Sequence, residues 1–332
     1  MPPPETTTRQ ATVHPTTTDR TLDLTAQARA TSAVGLGDRP AKSLSPSRAG
    51  DFMTCPLLYR FRSVDRLPEP PGPEAARGTL VHAVLERLFD IAPGDRTPQV
   101  AHGLIPDSRT AMTAASPELP GLLFGGTTPG PAGSPTAIAA PDPQAVDRFL
   151  AAAAGFLDRY FALEDLNRLQ PAERELSVST ELPSGLVLRG IIDRLDRAPS
   201  GAVRVVDYKT GRAPGPGWEA KALFQMRFYG LVLWRLHGQV PARLQLLYLG
   251  NTERLTVDPS EAELRATQAK VEALWDAIER ATVSGDWQPR PSRLCGWCSF
   301  QALCPEFGGT HRPSRTRRTH RSWRASAPTS VG

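Results

Sequence analysis

Two aspartates and one lysine carry the first chemical signal in this sequence. Asp193 follows the apolar pair Ile191-Ile192, and Asp207 follows Val205-Val206, with Lys209 two residues further on. Each apolar pair reads as a buried strand, so two strands ending in Asp are not a solvated face. In a meander the two strands pair, which brings the carboxylates to one edge of the sheet. Facing carboxylates repel, and a divalent cation is the usual resolution. Lys209 shares a face with Asp207 in an extended strand. Together they could hold Mg²⁺ and a water beside a scissile phosphate, the lysine orienting or helping to deprotonate that water. Arginine would serve badly, because it is effectively never deprotonated and its planar fork is bulky. Lys42, Lys209, Lys221 and Lys270 are the only lysines among 39 Lys and Arg residues, so a lysine at 209 runs against the habit of the chain.

Other side chains could complete such a site. Glu175 opens the preceding strand and is the first choice for a third carboxylate, with Glu173 and Glu181 as alternatives. His82 sits in the apolar stretch Leu80-Val-His-Ala-Val-Leu85, either as a structural histidine or as a neutral imidazole ligand. Gln225 and Tyr229 are four apart on a predicted helix and share a face. They are ordinary surface positions, or they reach towards a phosphate or base. A second constellation uses every cysteine in the chain: Cys295-Gly-Trp-Cys298, Cys304 and the remote Cys55, which precedes Pro56. Four thiolates suit either Zn²⁺ or an iron–sulfur cluster, and spacing alone does not choose.

The elements that must position these residues follow from periodicity and turn signals. Ser45-Pro46 starts a helix that runs towards Cys55, since Ser caps and Pro suits the first helical position. A short helical stretch follows over Leu57–Arg62. Apolar residues at three- and four-residue spacing predict a helix over Glu74–Asp90, and Gln144–Arg168 is also helical. The period then changes to two. Strands over Glu175–Leu182, Leu186–Leu195 and Val203–Tyr208, joined by short Pro- and Gly-bearing turns, make an antiparallel meander. A helix over Trp218–His237, a strand over Arg243–Leu249 and a helix over Ser260–Ser284 complete an α/β fold, one sheet with helices on both faces.

Composition sets the frame. The chain has 332 residues, with 33 Pro and 27 Gly, too many for a compact domain throughout. Residues 1–42 read as a disordered extension, residues 91–143 as an insertion with little regular structure, and residues 309–332 as a basic disordered tail. The net charge of +5 arises in that tail, which holds six Arg and no acid, so the rest of the chain is close to neutral. No apolar run approaches the roughly 18 residues that span a bilayer, so no membrane role is expected. The N-terminus lacks a hydrophobic signal region, so a cytoplasmic location is expected. No phosphate loop occurs to drive a helicase.

Six motifs in order resemble the RecB-family branch of the PD-(D/E)XK nucleases, especially its iron–sulfur members such as the AddB nuclease domain. They are Leu44-Ser-Pro-Ser-Arg48 with Cys55-Pro56, Gly78-Thr-Leu-Val-His82, Gly190-Ile-Ile-Asp193-Arg194, Val206-Asp207-Tyr208-Lys209-Thr210-Gly211, Gln225-x-x-x-Tyr229 and Cys295-x-x-Cys298-x5-Cys304. The resemblance covers residues 43–308 and implies a restriction-endonuclease-like core, a mixed sheet flanked by helices. It implies that His82, Asp193 and Asp207 bind Mg²⁺ or Mn²⁺, that Lys209 positions the attacking water, and that Glu175 supports the site beside Gln225 and Tyr229. It further implies that Cys55, Cys295, Cys298 and Cys304 hold a structural 4Fe–4S cluster. The expected function is a metal-dependent DNA exonuclease acting on single strands or ends in repair or recombination, any unwinding being left to a separate helicase. The competing expectation is a non-catalytic DNA-end-binding subunit of a helicase–nuclease complex.

Overall fold

The computed structural model describes residues 42–310 apart from 70, 129–136, 216 and 218. The expectations for residues 1–41 and for the tail beyond 310 fall outside the described residues. A two-residue strand β1 (Ser43–Leu44) leads into helix α1 (Pro46–Thr54), and the Ser45 side chain accepts a hydrogen bond from Arg48 N, as the cap signal predicts. Cys55 separates α1 from α2 (Pro56–Tyr59), which runs into a π-helical turn over Arg60–Val64. Helix α3 (Pro73–Leu88) carries His82.

The segment expected to lack regular structure is largely helical, which corrects the sequence reading. It contains α4 (Pro98–Gly103), α5 (Ile105–Ala115) and α6 (Leu119–Phe124), then a hairpin of β2 (Gly125–Thr128) and β3 (Ala137–Pro141). Its prolines count as breakers in composition, but Pro98, Pro106 and Pro120 occupy the first helical turns, where a missing N–H costs nothing. Thr97 caps α4 through the Val100 amide.

Helix α7 (Pro143–Leu163) precedes the meander β4 (Glu173–Glu181), β5 (Val187–Arg197) and β6 (Val203–Lys209). Helix α8 (Ala220–His237), β7 (Arg243–Tyr248), β8 (Glu253–Val257) and α9 (Glu261–Ser284) follow. β4, β5 and β6 pair antiparallel, β6 and β7 pair parallel, and β7 and β8 pair antiparallel. The sheet is therefore mixed. β1 and β8 have no sequence counterpart, one being too short to show a period and the other, Glu-Arg-Leu-Thr-Val, too polar. On one face α3 and α7 bury Leu80, Val84, Phe156 and Leu157 against Val206, Tyr208 and Leu247. On the other face α8 approaches closely through Gly230, where an added Cβ would lie 3.3 Å from Leu244 of β7 and Leu264 of α9. Among the described residues, no helix is long and apolar enough to cross a membrane.

One feature of the sheet shapes everything near Asp193. β4 runs along one edge of β5, from Glu181↔Val187 to Glu173↔Leu195. The other edge is shared: β1 pairs with Val187 and Leu188, and β6 pairs with Arg194 to Arg197. Residues 189–193 therefore have a strand neighbour on one side only among the described residues. The strands part beyond Arg194↔Val206, one step before Asp193 and Asp207 would meet. Asp193 thus lies inside an 11-residue strand and not near its end, which corrects the sequence expectation.

Candidate active site

The parting of β5 from β6 makes room for side chains where a ladder would have run. The Asp193 carboxylate fills the gap, with its Oδ2 accepting a hydrogen bond of 2.7 Å from the Tyr208 amide. The β4–β5 ladder also skips a position, Glu175 opposite Asp193, and Glu175 has φ of +44°. A glutamate in the left-handed region inside a strand is strained, and it turns its side chain out of the regular alternation. Alternation of β5 slips at the same level: Arg189 and Ile191 are exposed between the buried Leu188 and Ile192, yet Arg194 and Leu195 are both buried.

Ligand atoms of His82, Glu175 and Asp193 all lie within 4.8 Å of one another. Glu175 joins this group; Glu173, opposite Leu195, and Glu181, at the far end of β4, do not. His82 Nε2 lies 3.1 Å from the Tyr208 carbonyl, and Nδ1 lies 3.5 Å from Asp193 Oδ2. A carbonyl only accepts, so Nε2 carries the hydrogen and Nδ1 of a neutral ring turns a lone pair towards a carboxylate oxygen. Burial lowers the His82 pKa despite the nearby Asp207 carboxylate, which keeps the ring neutral.

Asp207 stands beside this group, only 2% exposed. Its Oδ1 accepts from Gln225 Nε2 at 2.8 Å, and Lys209 Nζ is 2.6 Å from Oδ2. That Oδ2 is buried without a hydrogen bond of good geometry. Gln225 Nε2 also lies 3.4 Å from the Tyr229 hydroxyl, so both residues of the helical motif face Asp207. Gly190 is required for this arrangement, since an added Cβ would lie 2.7 Å from Tyr229 Cε1.

Electrostatics agree with a site awaiting positive charge. Burial, and then the Asp207 charge, push the Asp193 carboxyl up to about 8. Burial, and then Asp193, push Glu175 up to about 6. The carboxylates of Glu175, Asp193 and Asp207 and the His82 imidazole lone pair form a hard donor set that fits Mg²⁺ or Mn²⁺. The site opens on a cleft of about 1000 Å³ lined by Lys209, Gln225, Tyr229 and the start of α1.

Sequence reasoning missed what lies behind the site. Arg194, fully buried, donates to Glu164 from both terminal nitrogens at 2.7 and 2.9 Å, and to the Tyr160 and Tyr208 hydroxyls at 2.7 and 2.9 Å. Arg204 and Asp196 extend the network through a 2.7 Å ion pair. The signal was available: an arginine between Ile192 and Leu195 in a buried strand needs an acidic partner.

The four cysteines are free thiols that line one cavity of about 60 Å³ between the α1–α2 junction and the C-terminal turns. The Cys55 and Cys295 sulfurs accept backbone N–H groups of Arg290 and Ser292 at 3.4 and 3.3 Å. No three of the sulfurs stand within 4.8 Å of one another, as the metal-site donors do.

Residues 43–305 match the PD-(D/E)XK nuclease superfamily. The chain belongs to this superfamily, whose defining chemistry is hydrolysis of phosphodiesters. It is similar to the Gene 69 protein of Mycobacterium phage L5, at 27% identity over 136 residues. That match spans 40% of this chain and less than half, 44%, of the phage protein. In the crystal, a predicted exonuclease from Eubacterium rectale aligns with 80% of this chain and 93% of its own, at 14% identity and a TM-score of 0.49.

Proposed function

We propose that this chain is a divalent-metal-dependent DNA nuclease of the RecB branch, an exonuclease on single strands or ends that serves DNA repair or recombination. The observation that carries the reading is the convergence of His82, Glu175 and Asp193 beside the Asp207–Lys209 pair at the mouth of a cleft. His82, Glu175, Asp193 and Asp207 Oδ2, the oxygen beside Lys209, would hold Mg²⁺ or Mn²⁺. When bound, the ion supplies stabilisation of charge on the phosphate and a more acidic water.

The chain's own groups do the rest. Lys209, fixed by Asp207, sets an ammonium beside the reacting phosphate, where it orients a water and offsets developing charge. Gln225 fixes the other oxygen of Asp207, and Tyr229 lies against Gly190 to fix Gln225. Tyr208 joins the two sides: its amide holds Asp193, its carbonyl holds His82, and its hydroxyl rests on Arg194.

The second part of the reading is that Cys55, Cys295, Cys298 and Cys304 hold a 4Fe–4S cluster that staples the C-terminal turns to the α1–α2 junction. The shared cavity and the N–H···S bonds support it. The open spacing of the sulfurs speaks against a preformed zinc site, where four thiolates about 2.3 Å from one ion would crowd together. A cluster binds each thiolate through a different iron.

Strands labelled at one end, in both polarities, test the function with Mg²⁺, with Mn²⁺ and with EDTA. Release of mononucleotides or short oligonucleotides from one end, dependent on metal and abolished in Asp207→Ala, is expected. Cleavage that persists in Asp207→Ala overturns the site assignment. Iron and sulfide analysis of anaerobically purified protein should return about four of each per chain, and stoichiometric zinc instead would overturn the cluster.

A further inference from the structure

The wall of the cleft opposite α8 has no part in the chemistry above. Arg189 and Ile191 stand on the exposed side of β5, and Ile191 is 52% exposed, one of few large apolar side chains so open. Ser177 lies opposite Ile191 in the β4–β5 register. Arg212, just past the Lys209-Thr-Gly turn, reaches the same cleft. Most arginines near the site are engaged, Arg194 and Arg204 by carboxylates and Arg48 by Tyr59 and Ser63. The Arg189 and Arg212 guanidinium groups make no hydrogen bond or ion pair with any described residue. Beside them, residues 189–193 present a backbone edge that neither β1 nor β6 covers.

Two unpaired cations next to an exposed aliphatic side chain make a specific demand on a ligand. A duplex offers phosphates outwardly and hides its base faces. A single strand offers phosphates together with unstacked bases that rest on side chains. Four residues of strand separate Arg189 from Asp193, about 13 Å, room for a few nucleotides. We propose that Arg189, Arg212 and Ile191 form a track for single-stranded nucleic acid beside the scissile phosphate, the arginines taking phosphates and Ile191 a base face. The track rests on the nuclease reading for its neighbour, the reacting phosphate, and extends it by naming the residues that select a single strand over a duplex.

The test is binding of a dye-labelled oligothymidylate, its abasic counterpart and a duplex of equal length, measured in EDTA over a salt series. The wild type should hold the single strand at least tenfold tighter than the duplex. Arg189→Ala with Arg212→Ala should weaken oligothymidylate binding about tenfold at low salt and lower the slope of log Kd against log salt by about 1.4, two phosphates' worth for a single strand. Ile191→Ser should weaken oligothymidylate binding about fivefold and leave the abasic strand unaffected, apolar contact with a base face being the interaction removed. An unchanged slope in the double variant, equal affinity for duplex, or an Ile191→Ser loss that persists on the abasic strand would overturn the track. Because binding in EDTA needs no cleavage, the two readings fail separately. A wild type that binds but never cleaves with either metal sinks the nuclease, and one that cleaves while the double variant binds unchanged sinks the track.

Discussion

Asp193 and Arg194 are neighbours on one strand, yet they belong to two acidic clusters with opposite electrostatics. Behind the sheet, Glu164 and Asp196 meet Arg194 and Arg204 in ion pairs of 2.7 Å. Burial works against Glu164, but the Arg194 hydrogen bonds and the Arg194 and Arg204 charges together outweigh it and hold its pKa below the usual value. At the cleft, Asp193 and Glu175 have no such partner; burial and then the Asp207 charge raise Asp193 to about 8, and burial and then the Asp193 charge raise Glu175 to about 6. Lys209 alone approaches, and it is committed to Asp207. Acids that hold the fold are neutralised by arginines from within the chain, whereas Asp193 and Glu175 at the cleft keep their repulsion; on the proposed reading a cation from outside relieves it.

Breaking the compensated cluster should have the largest effect. Arg194→Met leaves Glu164 buried without a partner and should cost about 3–5 kcal/mol in stability, read by chemical denaturation. Adding Glu164→Gln should recover a good part of that loss, and no recovery would show that packing and not charge carries the cost. At the cleft, Lys209→Met should lower the nuclease kcat by about 10²–10³ while costing less stability than Arg194→Met, because the Asp207 carboxylate keeps its hydrogen bond from Gln225. Gly190→Ala should come next. Its Cβ would displace the Tyr229 ring, costing about 1–3 kcal/mol and loosening the hold of Gln225 on Asp207, seen as a fall in activity beyond the loss of folded protein.

The smallest effect sharpens the contrast by pH. Asp193 and Glu175 bind protons more tightly folded than unfolded, so between about pH 4 and their raised values the folded state holds the extra protons. Their contribution to stability is full below pH 4 and is lost as pH rises to about 8, the value for Asp193. In metal-free protein Asp193→Asn should therefore gain about 0.5–2 kcal/mol near pH 8 and little near pH 4. Divalent metal should reverse the trend in the wild type, its stabilisation growing from pH 6 to pH 8 as protons leave the ligands. A thermal-shift series with and without Mn²⁺ measures both, and an Asn variant less stable than wild type at pH 8 without metal would refute the assignment of stored repulsion.

Much of this arrangement was legible in the sequence because it is local. The period of two over residues 175–208 placed the meander, and Ser45 announced the helix it caps. Asp207 and Lys209 were placed on one face by strand geometry alone. The helices between Pro98 and Phe124 were misread because proline marks a helix start as readily as a break, and composition does not tell the two apart. Residue types also could not show that Asp207 spends one oxygen on Gln225.

What the chain's own order determined is the set of elements and the kinds of chemistry available: two acids after apolar pairs, a lysine among arginines, a histidine on an apolar helix, four thiols. Periodicity and caps act within a few residues, so sequence carries them. Only the tertiary structure decided which groups meet. β1 and β6 divide one edge of β5 between them, and the gap they leave sets Asp193 against Tyr208, His82 and a left-handed Glu175. That choice depends on strand pairing between residues far apart in the chain, which no local pattern encodes. The same pairing buries Arg194 with Glu164 and leaves Arg189 open to the cleft, giving two arginines five residues apart on one strand opposite fates.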